Sequence, residues 1–308
     1  MNERGFSLVE ALVALAVMSL VWASATGVLV ALPAQTARWH DAADARQRLR
    51  VVDARGARLA ANAGPIALRV GARVARVPSL WPRRLGLVRA GAVTDVSTTA
   101  VTFIARTSLQ RVMTLDDALS ASGGSVAVSP GPGCGSAAAC GLASGDTVLV
   151  VSETSVCGLY RVVAAGARLT LEGLMPDGAG GFAAGAAIVA VMVTTMFLDE
   201  DSGELRLYDG YRSDNVLIDG VQGLTVALEA GAALPFETGE QGGPFVDEEG
   251  AWPGTGRLGD GPFVGSGPLA FDVDQILLRG VAMDLTLVAA PPAAPPAAAV
   301  TWRTRGWH

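Results

Sequence analysis

MNERGFSLVEALVALAVMSLVWASATGVLVAL, residues 1–32, is the stretch on which the reading of this chain turns. Residues 6–32 are 27 consecutive positions with one ionisable side chain, Glu10. A helix needs about 20 apolar residues to cross a bilayer, so the run predicts a membrane-spanning helix. An ordinary secretory signal has an apolar core of only roughly 7 to 15 residues, and this run is longer. A plain signal anchor would account for the length and leave Glu10 without a purpose.

A carboxylate inside such a run costs roughly 2.5 to 3.5 kcal/mol near the helix centre and less toward an end. No basic residue lies within the run, so a partner is expected from another chain, from water or from a newly made amino terminus. A cut between Gly5 and Phe6 would make that terminus. Glycine has no side chain to obstruct a protease, and Gly5 sits where the polar MNERG meets the apolar run.

Gly5-Phe6-Ser7-Leu8-Val9-Glu10 followed by an apolar helix resembles the class III signal of type IV prepilins and pseudopilins. The resemblance implies that a prepilin peptidase of the inner membrane cleaves after Gly5 and methylates the amino group of Phe6. It also implies that Glu10 neutralises the amine of a neighbouring subunit during assembly.

Composition narrows the remainder. The chain has 308 residues, 50% of them hydrophobic, and 38 glycines, enough apolar material to fold but much interrupted by turns. A net charge of -6 carries no polyanion-binding signature, so nucleic acid is not an expected partner. All 23 basic residues are arginine; without lysine there is no P-loop lysine and no Schiff-base lysine. Of three cysteines, Cys134 and Cys140 bracket a short loop and are the natural disulfide pair in an exported domain, leaving Cys157 odd, although spacing does not fix the connectivity. No metal and no cofactor are expected, because a closed zinc site wants four tightly spaced ligands and the only histidines are His40 and His308.

Beyond Pro33 the apolar run gives way to an amphipathic pattern. Ala42, Ala45, Leu49, Val52, Gly56 and Leu59 recur at spacings of three and four, with Arg46, Arg48, Arg50, Asp53, Arg55 and Arg58 on other faces. The same helix is therefore expected to continue through 33–63 and to stop near Asn62-Ala63-Gly64-Pro65. Candidate strands follow at 66–77, 93–104, 126–128, 147–153, 158–164, 168–171, 187–198, 204–208, 223–229 and 275–287. Gly- and Pro-rich loops occupy 120–145, 176–185 and 230–268, with a Pro-rich break at 291–296. The expected fold is α+β: a long amino-terminal transmembrane and amphipathic helix packed on an antiparallel β-sheet domain. Its expected divisions are a leader at 1–5, the span at 6–32, the helical extension at 33–63 and the β domain at 64–308.

The distal segments GDTVLVVSETSVCGLYRVV, FAAGAAIVAVMVTTMFLDEDSGELRLYDG, NVLIDGVQGLTVALEA and QILLRGVAMDLTLVA, within 145–288, occur in an order that resembles PilW-like minor pilins. The terminal VTWRTRGW resembles their closing strand. That resemblance implies a non-enzymatic subunit that joins other minor and major pilins in priming or capping a type IV pilus, with its β domain periplasmic. The alternatives are a type II secretion pseudopilin and a pilus-tip adhesin module. Arg38, Arg46, Arg48 and Arg50 follow the span while only Arg4 and the amino terminus precede it, so the positive-inside rule alone would place the β domain in the cytoplasm; the prepilin-like motif outweighs that bias.

Chemistry-bearing clusters are few. Asp199-Glu200-Asp201-Ser202-Gly203-Glu204 holds several oxygen ligands but lacks the order of an EF-hand loop, and is expected to be a hairpin turn. Asp247-Glu248-Glu249 and Asp272-Val273-Asp274 are expected to be solvated loop charges. Neither histidine is placed for a catalytic pairing with Cys157 or a serine.

Overall fold

A computed structural model of the chain describes residues 8–64, 66–85, 97–107, 112–131, 134, 138–175, 180–210, 214–230, 254–255, 257–287 and 300–303. The chain divides into two units, residues 1–50 with 289–298 and residues 51–288 with 299–308. Helix α1 runs Leu8–Asn62. In the first unit its residues 8–27 are exposed throughout. In the second unit its last turns bury Val52, Gly56, Leu59 and Ala60, and leave Val51, Ala54, Ala57 and Ala61 exposed. Spacings of three and four put the buried set on one face. The helix closes where Ala63 N–H donates to Leu59 O at 3.0 Å, just before Gly64.

The strands are β1 (Ile66–Val70), β2 (Arg73–Val77), β3 (Leu80–Trp81), β4 (Ala100–Arg106), β5 (Val112–Leu115), β6 (Gly123–Val126), β7 (Val128–Pro130), β8 (Thr147–Val151), β9 (Cys157–Ala165) and β10 (Leu169–Gly173). They continue with β11 (Ala187–Asp199), β12 (Glu204–Tyr208), β13 (Asp214–Ile218), β14 (Val221–Ala230), β15 (Phe263–Val264), β16 (Phe271–Asp272), β17 (Leu278–Leu287) and β18 (Val300–Arg303). Among the described residues every pairing is antiparallel. The fold is therefore α+β, one long amino-terminal helix followed by an antiparallel β domain.

The largest sheet holds eleven of these strands along the order β13-β12-β11-β8-β9-β10-β6, with β3, β4, β5 and β7 joined on through β11. β11 organises it, because its 13 residues pair with β8 and then β12 along one edge, and with β5 and then β4 along the other. Side chains alternate across a strand. Leu149, Val151, Val189, Val191 and Val193 therefore enter one core cluster, which also contains Trp81 and Phe271. Val148, Val150, Ile188 and Ala190 enter a second, with Tyr160 and Phe182. Both faces are covered, which is why 187–198 reads as a nearly continuous apolar run.

Three strand expectations need correction. Residues 66–77 form the hairpin β1–β2, turning at Gly71, whose φ of +59° is open to glycine at little cost. Residues 275–287 begin as a 3-10 turn over Val273–Leu277 before β17 starts, because Asp272 caps that turn and Gln275 answers it. The expected strand 126–128 straddles the break at Ala127 between β6 and β7, and β3, β5 and β13, short and not foreseen, join the same sheet by pairing with β4, β11 and β12. The loop 230–268 lies mostly outside the described residues.

Candidate functional site

Residues Leu8–Gly27 form a stretch of 20 residues with mean hydropathy 2.0, none of it buried by the rest of the chain. At 1.5 Å per residue this covers about 30 Å, the thickness of a hydrocarbon core. Its hydroxyls are satisfied locally. Ser19 Oγ donates to Ala16 O and Ser24 Oγ to Val21 O, each at 2.8 Å, and Thr26 Oγ1 donates to Trp22 O at 2.8 Å. Among the described residues 8–27, each hydroxyl therefore has a backbone acceptor within the helix.

Glu10 lies in the first turn of α1 and is exposed. Gly5 and Phe6 lie outside the described residues.

Elsewhere the geometry is structural rather than chemical. Cys134 and Cys140 are disulfide-bonded, with Cα atoms 4.7 Å apart. Both are buried in the second core cluster. Cys157 is free and buried; burial pushes its thiol up to about 12, opposed by the nearby Arg83 guanidinium. A thiol so protonated and enclosed is a poor nucleophile. His40 is exposed on α1, and His308 lies outside the described residues.

The turn at 199–204 joins β11 to β12, with Gly203 N–H donating to Asp199 O at 2.8 Å. Glu204 and Asp214 flank Arg206, the latter at 2.9 Å, and these contacts, led by the hydrogen bond to Asp214, raise the arginine's pKa. Among the described residues no group of three His, Cys, Asp or Glu side chains could hold a metal ion.

Asp272 and Asp274 are not solvated loop charges: they are 2% and 5% exposed. Asp272 Oδ2 accepts from Gly259 N–H at 2.8 Å and Gly261 N–H at 2.9 Å, and its Oδ1 accepts from Asp274 N–H at 2.8 Å. Three backbone donors compensate the buried carboxylate. Arg83 reaches the same region, its Nη2 donating to Ala270 O at 2.7 Å. Only the Asp-x-x-Gln spacing of a capping box, Asp272 to Gln275, marked this clasp in the sequence.

The family model of the prokaryotic N-terminal methylation motif matches residues 1–25. Neither curated proteins nor solved structures gave a match to the chain. The motif, set on an exposed apolar helix, supports a type IV prepilin-like protein. More particularly, it supports a pilin- or pseudopilin-like substrate of a prepilin peptidase, anchored in a membrane by α1. Proteins with this motif are structural pilins rather than typical enzymes.

Proposed function

We propose that this chain is a PilW-like minor pilin of the bacterial inner membrane. A prepilin peptidase cleaves it after Gly5 and methylates Phe6, and it then joins other minor and major pilins in the complex that primes or caps a type IV pilus. The observation that carries this reading is the single carboxylate of the membrane span, Glu10, exposed in the first turn of α1 within the matched motif. In the assembled state a neighbouring subunit's amino-terminal amine shares that carboxylate and offsets its cost in the apolar layer. The chain has no lysine, so the only aliphatic amine that copies of it can offer is a chain terminus.

Two further observations support the reading. Past the span the exposed side of α1 carries a narrow strip of small and apolar residues, Val51 (49% exposed), Ala54, Ala57 and Ala61, flanked by exposed Asp53, Arg55 and Arg58. That face suits contact with a neighbouring helix. The Cys134–Cys140 disulfide suits an oxidising compartment and therefore a periplasmic domain over 64–308.

The experiment is intact mass and amino-terminal sequencing of the protein from membranes of cells with and without prepilin peptidase. A chain that starts at methylated Phe6 only when the peptidase is present is expected. A chain that starts at Met1 in both strains, or one cut near Ala34, overturns the proposal. Glu10→Ala is expected to leave cleavage intact and to lower recovery of the subunit in sheared pili by roughly tenfold or more, the factor corresponding to about 1.4 kcal/mol of lost pairing.

A further inference from the structure

We infer that the basic β1–β2 hairpin of one copy of this chain docks into an acidic cleft at the β11–β12 turn of a second copy, joining their β domains head to tail. The net charge of -6 conceals an uneven distribution. Residues 66–77 hold three arginines and no acid, and residues 199–204 hold four acids and no base. Ile66, Leu68, Val70, Ala75 and Val77 enter the first core cluster, so strand alternation turns Arg69 and Arg76 outward. Arg69 and Arg73 are exposed and Arg76 is half-buried. Arg106 adds a fourth guanidinium, donating to Ala67 O. Glu153 stands beside the turn at Gly71 and offsets part of this charge. The hairpin is moored where Arg76 N–H donates to Ser155 Oγ at 3.0 Å.

The acidic side has room for such groups. Glu204 and Asp214 are engaged by Arg206, whereas among the described residues Asp199, Glu200 and Asp201 make no ion pair. An open cleft of about 380 Å³ lies there, lined by Thr99 and by Asp199, Glu200, Asp201 and Asp214. Arg84 lines it too, its guanidinium 3.7 Å from the centre of the Phe197 ring. One guanidinium among four carboxylates leaves the cleft negative. The chain has no lysine, so a side-chain cation that enters from another copy is an arginine.

The hairpin of the same chain does not reach this cleft. Gly71, at the hairpin tip, lies against Glu153, just past Val151, and Val151 pairs with Ala187 at the start of β11. The acidic turn begins at Asp199, where β11 ends. The two charged surfaces thus sit at opposite ends of a 13-residue strand, about 40 Å apart at roughly 3.3 Å per residue. Contact between them is heterologous, the kind that builds an open row of copies unless the rotation closes a ring. Exposed ion pairs are individually weak and are screened by salt. The contact therefore forms between copies that a shared membrane already holds close.

This inference goes beyond the proposed function and stands without it. Two full-length chains, one carrying Ala72→Cys and the other Ser202→Cys, both at exposed positions, are given tags of different size. They are reconstituted together in phosphatidylcholine vesicles and oxidised. The mixed disulfide dimer is expected to exceed either like-with-like dimer by roughly tenfold at about 50 mM salt, and to fall to the statistical ratio of about two at about 1 M. Arg69→Glu with Arg73→Glu on the first chain is expected to remove the excess, and Glu200→Arg with Asp201→Arg on the second to restore it. A statistical ratio at low salt overturns the inference and leaves the hairpin to a different acidic partner. An excess that survives high salt, or a reversal that the opposite reversal does not rescue, overturns charge pairing as its basis. None of these outcomes bears on cleavage after Gly5, so the inference and the proposed function fail separately.

Discussion

Glu10 was legible as an anomaly because a carboxylate inside an apolar run has few physical reasons to persist. The partner proposed for it, a neighbouring subunit's amine, belongs to the assembly rather than to the sequence of one chain. Asp272 was the opposite case. In sequence it looked like one of several loop acids, and its burial depends on N–H groups from Gly259 and Gly261, which only the folded backbone brings to it. Cys157 shows how burial becomes a measurable property. Its thiol is raised from 9.0 to about 12 in the folded chain. The folded state thus holds this proton more tightly than the unfolded state, so the group costs nothing below about pH 9. Between about pH 9 and 12 the unfolded chain loses the proton first, and stability falls with rising pH by up to about 1.4 kcal/mol per pH unit from this group. Tyr160, also raised by burial to about 12, adds to the loss at the upper end. Urea unfolding in detergent across pH 8 to 11 is expected to show the decline, and Cys157→Ala is expected to flatten its first part. An unchanged slope in the variant would assign the decline to other groups.

At the scale of elements, helix α1 and the central strands were readable and the joints between them were not. A helical stripe at 49, 52, 56 and 59 needs only a period of 3.6 to be seen, and all four positions are buried. The two-sided burial of β11 explains why its sequence shows no alternation, so the strand was recognised by β-branched enrichment rather than by pattern. The hairpin at Gly71 was missed because its flanking halves, Ile66–Val70 and Arg73–Val77, share apolar periodicity that reads as one strand. The β11–β12 turn offers the direct test of how much such joints contribute. Gly203 sits at φ +65°, where a side chain is strained, and an added Cβ would stand 3.3 Å from Val221 O. Gly203→Ala is expected to lower unfolding stability by about 1 to 2 kcal/mol. Gly223→Ala, with nothing within 4 Å of the new Cβ, is expected to change it by less than about 0.5 kcal/mol. Urea midpoints at constant slope measure both, and equal losses would remove left-handed strain as the cause.

On the scale of the whole molecule, the charges beside the span and the chemistry of the β domain pull in opposite directions. Arg38, Arg46, Arg48 and Arg50 follow the apolar run and favour retention in the cytoplasm. The cystine favours an oxidising compartment. We predict that a reporter active only outside the cytoplasm, fused after His308, is active in cells. An inactive reporter with intact fusion protein would place the β domain inside and end the pilin reading. The sequence by itself determined the anchor, the amino-terminal motif and the α+β class, because an uninterrupted apolar run and local periodicity are properties of neighbouring residues. Only the tertiary structure decided the central place of β11, the clasp on Asp272 and the seclusion of all three cysteines. Each of those depends on groups far apart in the chain, whose meeting no local pattern encodes.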